Sequence, residues 1–354
     1  MASRVARAKD EPPVKARRVT LRDVAVLVGV DPSVVSRVIN ADPALNIGGE
    51  TRARIEAAIV STGYRPNLAA RGLRLSRNLT LGLVLPDVTN PVYSPIVRGV
   101  TRVAEAAGYA VVLGSDLGSQ PTVASFAGLL DEGRVDGLLV ASGTLDDAII
   151  RELMKKSDHV VLVNRRLEQA VGTSVVVDDA WGSRLAVEHL LELGHTAIGQ
   201  LAGPPRVETS VRRRKGFETA LKAAGLTARP AFTVELSGWT AAAGYAAATW
   251  MLSLRKRPTA LFVANVSAAI GAMRAAADLG LVVPRDVSIV GLHDTELAAF
   301  VQPRLTTVVM PLERLGEMSC AALIRLLSGS TYDADVMVDV PPELVVREST
   351  APPA

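Results

Sequence analysis

Residues 20–40 read Thr20-Leu-Arg-Asp23-Val-Ala25-Val-Leu-Val28-Gly29-Val-Asp31-Pro32-Ser33-Val-Val35-Ser36-Arg37-Val38-Ile39-Asn40, two short amphipathic helices divided by a glycine. Thr20 with Asp23 three positions later is the pattern of a capping box, in which side chain and backbone satisfy each other at a helix start. The helix it opens turns Leu21, Val24, Ala25 and Val28 to one side, and Gly29 ends it. Asp31 then caps a second helix, with Pro32 at the first position, where a missing N–H does no harm. That helix buries Val35, Val38 and Ile39, and so faces Pro32, Ser33, Ser36, Arg37 and Asn40 outward. A third helix, from about Glu50 to Thr62, buries Ile55, Ala58 and Ile59 and stops at Gly63. Two helices joined by a tight glycine turn make a helix-turn-helix, whose second helix fits the major groove of duplex DNA. Arg pairs with guanine O6 and N7, and Ser and Asn reach base edges or phosphates. A plain solvated face is the other reading of that stripe.

Charge divides the chain at the same place. Residues 1–78 hold 14 Lys/Arg against 7 Asp/Glu, whereas residues 79–354 hold 25 against 29. A basic head on a mildly acidic body marks a polyanion as the partner of the head. Residues 1–18 mix Arg, Lys, Ala and Pro without periodicity and read as a disordered basic arm. They contain no apolar stretch, so a secretory signal is not expected. Cys320 is the only cysteine, which excludes an intrachain disulfide and a cysteine-based metal site and fits a reducing cytoplasm. The longest apolar run, Ala241 to Leu254, is too short to span a bilayer and reads as a buried helix.

Beyond Leu79 the rhythm changes. Short β-rich runs (Leu81–Leu85, Val111–Leu113, Gly137–Val140, Val160–Val163, Ala197–Leu201, Ala260–Val263 and Val287–Val290) alternate with amphipathic stretches. Near-continuous apolar strands alternating with helices imply parallel sheets covered on both faces. The stretch is long for one sheet, so two α/β lobes are expected. In open sheets of this kind ligands sit beyond the carboxyl ends of the strands. Those ends carry Asp87, Val92 and Tyr93, then Asn164 and Arg165, then Asn265 and His293, with Trp239 and Arg213 available as an apolar plate and a charged clamp.

The head resembles the LacI/GalR (lac repressor) family of transcriptional regulators. The resemblance is carried by Thr20-Leu-Arg-Asp-Val-Ala, Gly29-Val30 and Val35-Ser36-Arg37-Val38-Ile39-Asn40, then Glu50-Thr51-Arg52, Gly63-Tyr64-Arg65-Pro66-Asn67 and Ala70-Arg71-Gly72-Leu73-Arg74. It implies that Pro32, Ser33 and Arg37 hold base-reading positions, while Thr20, Ser36 and Asn40 grip the phosphate backbone. It further implies a hinge that folds on DNA and pries the minor groove open with Leu73, followed by Arg74. Gly48-Gly49 stands where Ser-Glu is usual, weakening the cap of the third helix.

The body continues the resemblance through Asp87-Val-Thr-Asn-Pro91, Arg134-Val135-Asp136-Gly137, Val187 to His195, Gly203-Pro204, Thr209 to Arg213, Pro258-Thr259-Ala260 and Leu305 to Val308. By position it implies that Val92, Tyr93, Arg213, Trp239, Asn265 and His293 line an effector pocket, to which strand-end position adds Arg165. His293 departs from the family's usual Asp, and Val266 from another; with Arg213 and Arg165 kept, this favours a less polyhydroxylated or anionic effector.

The expectation is an α/β protein with a three-helix helix-turn-helix head (19–65) after the arm (1–18), a hinge helix or linker (66–78), and a two-lobed periplasmic-binding-protein-like body with parallel sheets (79–350). It is expected to act as a cytoplasmic repressor, a homodimer on a pseudo-palindromic duplex operator, with a small-molecule effector, no cofactor and no membrane partner. No phosphate loop, nucleophile elbow or zinc-binding His spacing is present to indicate an enzyme. A repressor without small-molecule control and a solute-binding protein are the alternatives. No heptad of leucines follows Leu327, so dimers rather than coiled-coil tetramers are expected.

Overall fold

The computed structural model describes residues 19–39, 42–64, 77–115, 128–141, 143, 146–167, 171–332 and 335–354. The expected arm, most of the expected hinge with Leu73 and Arg74, and Asn40 lie outside the described residues. The chain divides into two compact units, residues 1–76 and 77–354.

The first unit contains α1 (Leu21–Val28), α2 (Pro32–Ile39) and α3 (Gly49–Thr62). The capping box forms as its residues require, with the Thr20 hydroxyl accepting from the Asp23 amide and the Asp23 carboxylate accepting from the Thr20 amide. Gly29 adopts φ 71°, the left-handed conformation that lets the chain turn sharply into α2. Asp31 accepts from the Ser33 amide at 2.8 Å and caps α2. Val24, Ala25, Val28, Val35, Val38, Ile55 and Ala58 form the core, with Ile39 and Ile59 packed at its edge. Arg54 of α3 donates to the Val28 carbonyl at 2.7 Å, closing the end of α1. Gly48 supplies no side-chain cap to α3, as its composition implies.

The second unit carries two six-stranded sheets. The first lobe is built on β1 (Thr80–Leu85), β2 (Ala110–Ser115), β3 (Gly137–Val140), β4 (Val160–Val163), β5 (Thr173–Val176) and β11 (Asp335–Met337), in the order β11-β5-β4-β3-β1-β2. All of its pairings are parallel. The second lobe uses β6 (Ile198–Ala202), β7 (Thr233–Glu235), β8 (Ala260–Val263), β9 (Ser288–Leu292), β10 (Thr306–Val309) and β12 (Glu343–Val345), in the order β12-β10-β9-β8-β6-β7. Only β12 runs antiparallel to its neighbour. Central strands such as Val160–Val163 and Ala260–Val263 are buried along their whole length, the pattern of strands covered on both faces.

Helices α4 (Ser94–Ala106), α5 (Asp147–Lys156), α6 (Asp179–Glu192), α7 (Glu208–Ala223), α8 (Ala241–Leu252), α9 (Val266–Asp278), α10 (Glu296–Phe300) and α11 (Leu312–Leu327) complete the body. The chain passes between lobes three times: from β5 into α6, from β10 into α11, and from β11 to β12. The second passage returns α11 onto α4 and strands β3, β4 and β5 of the first lobe. Gly316 permits this contact, because a Cβ there would lie 2.3 Å from the Ile96 carbonyl oxygen. The third passage is followed by a tail that stitches the second sheet. The His195 ring binds the Ala351 carbonyl through Nε2 at 2.9 Å and the Thr259 hydroxyl through Nδ1 at 2.9 Å. His195 therefore does not serve as the side-chain cap that its place after Gly194 invites.

Candidate functional site

In the head, the face of α2 that is turned from the core presents Pro32, Ser33, Ser36 and Arg37. Ser33 and Arg37 are exposed and Pro32 and Ser36 half-buried. Arg37 Nε donates to Asp42 Oδ2 at 2.8 Å in a solvent-exposed ion pair. That hydrogen bond holds the Asp42 carboxyl below the usual range. Thr20 is exposed and its hydroxyl is engaged in its own cap. Val34 turns inward against the head core. A basic side chain and two hydroxyls on one short helix are a groove-sized set of donors.

In the body, a cleft open to solvent lies where the carboxyl ends of the two sheets meet. The first lobe contributes Asn90, Val92 and Tyr93 beyond β1 and Asn164 beyond β4; the second contributes Thr209 and Arg213 from α7, Trp239, Asn265 beyond β8, and His293 beyond β9. Six of the seven residues singled out in the sequence for an effector thus line one cleft, from both of its lobes. Arg165 does not: it is buried and its guanidinium turns to Asp147 of α5 at 2.5 Å. A buried guanidinium requires an anion, and α5 supplies one on the far side of the strand end.

Behind the cleft lies an ionic network built on Asp178-Asp179 and the basic run Arg212-Arg213-Arg214-Lys215. Asp178 caps α6 by accepting from the Trp181 amide at 2.9 Å. Asp179 is fully buried and accepts from Arg212 Nη2 at 2.6 Å and Arg213 Nε at 2.7 Å. Burial pushes its carboxyl up, but the two guanidiniums outweigh burial and hold it below its usual range. Arg212 also binds Glu208 at 2.8 Å and donates to Asn164 Oδ1 at 3.0 Å, a bond between lobes. Arg213 donates in addition to the Ala264 carbonyl at 2.9 Å and to His293 Nε2 at 3.2 Å, and lies 5.1 Å from the centre of the Trp239 ring.

Since a guanidinium only donates, His293 Nε2 must accept, and the ring proton sits on Nδ1. His293 is buried at φ 71°; burial, with Arg213 beside it, pushes the imidazole down to about 3. The ring is neutral throughout the physiological range. Trp239 is seated over Gly203, where a Cβ would stand 2.0 Å from the indole Cη2. Among the described residues no group of three or more His, Cys, Asp or Glu is placed to hold a metal ion, and no helix is long and apolar enough to cross a membrane.

Comparison with known proteins places both units. Residues 20–67 match the profile of bacterial regulatory proteins of the lacI family, and residues 187–350 match a periplasmic binding protein-like domain. Catabolite control protein A of Priestia megaterium is 32% identical over 94% of this chain and 99% of its own. The ribose operon repressor of Escherichia coli (strain K12) is 35% identical over 88% of this chain and 94% of its own. Among solved structures, the lac repressor dimer bound to operator and the anti-inducer ONPF aligns with a TM-score of 0.79 at 31% identity, covering 95% of this chain and all of that one. A helix-turn-helix head joined to a two-lobed α/β body, matched along almost its whole length by such repressors, belongs to the LacI family, with a DNA-binding head and an effector-binding body.

Proposed function

We propose that this protein is a sequence-specific repressor that binds a pseudo-palindromic operator as a homodimer and is controlled by a small molecule in the interlobe cleft. The observation that carries the reading is that one chain holds both parts of a switch. Ser33, Ser36 and Arg37 face outward on the second helix of a helix-turn-helix, and a cleft lies between two lobes joined by three passages. The relative crystallised as a dimer on operator with a small molecule supports each part.

In this reading Arg37 and Ser33, with Pro32 as an apolar contact, face base edges, while Thr20, Ser36 and Asn40 hold phosphates. Leu73 and Arg74 work at the minor groove between half-sites. Val92, Tyr93, Arg213, Trp239, Asn265 and His293 meet the effector, which biases the DNA-competent form only as far as it binds the two lobe closures unequally. The protein acts on DNA in the bacterial cytoplasm.

Selection of bound sequences from a random duplex pool by the full-length protein, at moderate salt, tests the reading. Enrichment of an inverted repeat with two half-sites is the expected result. Equal retention of all duplexes, under every small-molecule condition tried, refutes it.

A further inference from the structure

The polar side chains of the cleft share a feature that spacing does not reveal. Each asparagine spends its acceptor inside the protein. Asn90 Oδ1 accepts from the Val92 amide at 3.1 Å, Asn164 Oδ1 from Arg212 Nη2 at 3.0 Å and the Val177 amide at 3.3 Å, and Asn265 Oδ1 from the Ser267 amide at 2.8 Å. Backbone N–H and guanidinium groups only donate, so these bonds fill both lone pairs of Asn164 and Asn265 and one of Asn90's, and each amide turns its NH₂ to other partners. His293 offers the cleft no acceptor either, its Nε2 consumed by Arg213 and its protonated Nδ1 shut away from solvent. The indole N–H of Trp239, a donor by nature, is likewise unused among the described residues.

Charge is cancelled in the same way. Asp179 answers Arg213, Asp147 answers Arg165, and among the described residues no carboxylate lines the cleft. A hydroxyl-rich ligand brings one donor with every acceptor, and apart from the Thr209 hydroxyl, the Tyr93 phenol and one lone pair of Asn90 the described side chains here offer no acceptor to receive it. Each buried donor left unmatched costs about 1–3 kcal/mol. An anion finds donors but no uncompensated cation.

From this we infer that the cleft selects a neutral, flat ligand rich in hydrogen-bond acceptors and poor in donors, such as a carbonyl-bearing or ring-nitrogen heterocycle, with Asn90, Asn164 and Asn265 as donors and Trp239 as its apolar plate. This rests on the ligand-controlled reading above and narrows it.

Two measurements on the full-length protein test it. The first is thermal unfolding with donor-free acceptor compounds (caffeine and antipyrine), polyols (D-ribose and cellobiose) and an anion (citrate). Caffeine or antipyrine is expected to raise the unfolding temperature of the wild type while the polyols and citrate do not. Asn265→Asp keeps the cap on α9 but exchanges the free NH₂ for an oxygen, and His293→Asp introduces a carboxylate at a positive φ that Asp tolerates. Each should lower affinity for the acceptor compounds at least tenfold and raise the relative response to polyols. A polyol or citrate stabilising the wild type as much as the acceptor compounds overturns the inference and leaves ligand control standing. If no class stabilises the wild type or either variant, the ligand-controlled reading itself falls.

The second measurement is ¹⁵N NMR of the four histidines, which reads the tautomer without a ligand. Protonated Nδ1 and bare Nε2 at His293, unchanged from about pH 5 to 8, are expected. The opposite tautomer, or a doubly protonated ring in that range, overturns the inference.

Discussion

Replacing Asp179 by Asn should destabilise the body by about 3 kcal/mol, a value that follows from how its two partners are otherwise held. Breaking a buried ion pair by removing one member costs roughly 3–5 kcal/mol, because the survivor stays buried and uncompensated. Arg212 retains Glu208 at 2.8 Å. Arg213, 5% exposed, has Asp179 as its ion-pair partner and is left with one carbonyl and one imidazole nitrogen. The loss thus falls mainly on one guanidinium, which places the expectation at the low end of the range. For a body of this size the unfolding entropy is about 0.6 kcal/mol/K, so the unfolding temperature should drop by about 5 °C. Calorimetry of wild type, D179N, R213M and the double variant gives the coupling. The double variant should cost less than the sum of the singles by about 0.5–3 kcal/mol, since removing both charges removes the orphan.

Acid provides an independent reading of the same pair. The Asp179 carboxyl sits below its ordinary 3.8 in the folded protein. Its stabilisation is therefore complete above the unfolded value and lost as pH falls through the folded one. The gap between wild type and D179N should stay constant from about pH 6 to 8 and close in strong acid. An unfolding temperature for D179N within about 1 °C of wild type, or strict additivity in the cycle, refutes the account.

Arg37→Ala should weaken operator binding by about 1–3 kcal/mol and relax preference at one base pair per half-site; equal weakening on every duplex in a competition assay would make Arg37 a phosphate contact instead. Asp42→Asn should tighten operator binding modestly at low salt, because DNA need no longer displace an exposed ion pair from Arg37; unchanged affinity would show that the pair is already open in solution. Gly48→Asp, where an added Cβ meets nothing within 4 Å, should raise the stability of the head by a few tenths of a kcal/mol through a new cap on α3, read as a later urea midpoint. Gly203→Ala places a Cβ 2.0 Å from Trp239 and 2.4 Å from Ser210 Oγ, so ligand affinity should fall at least tenfold with the head's DNA contacts untouched; titration by calorimetry decides it.

Much of this architecture is legible because local chemistry and global fold agree. Thr20 with Asp23, Gly29, and Asp31 before Pro32 each name one helix end, and each end lies within a residue of its expected place. Val160–Val163 and Ala260–Val263 are strands from end to end, as unbroken apolar runs should be. Thr173–Val176 and Thr306–Val309 escape the same reading, since their buried Thr and Ser residues mimic a loop until neighbouring strands supply hydrogen bonds. The antiparallel β12 has too short a pattern to read at all.

At the cleft, six residues were legible from strand ends and family position, yet the direction in which each spends its polar atoms was not. Arg165 shows why: a strand end fixes where a side chain starts, and only the packed neighbour Asp147 decides where it finishes. Asp179 reads in the sequence only as half of the Asp178-Asp179 pair at the crossover between lobes, a structural or rim pair, because its two arginine partners lie more than thirty residues away.

His293, Arg213, Asp179, Arg212 and Asn164 form one unbroken line of hydrogen bonds from the cleft wall of the second lobe to the end of β4 in the first. Asn164 Oδ1 also takes the Val177 amide, at the first passage between lobes. Because both arginines share one carboxylate, a displacement of Arg213 by a ligand on His293 changes the field at Arg212, whose bond to Asn164 spans the lobes. A well-packed apolar cluster in the same volume would be as stable or more so, but it would have no directional bond to lose. The ligand's leverage is bounded by those bonds. At about 0.5–1.5 kcal/mol net for each hydrogen bond rearranged, two of them yield a coupling of about 1–3 kcal/mol, or roughly 5–150-fold in the affinity of the head for DNA.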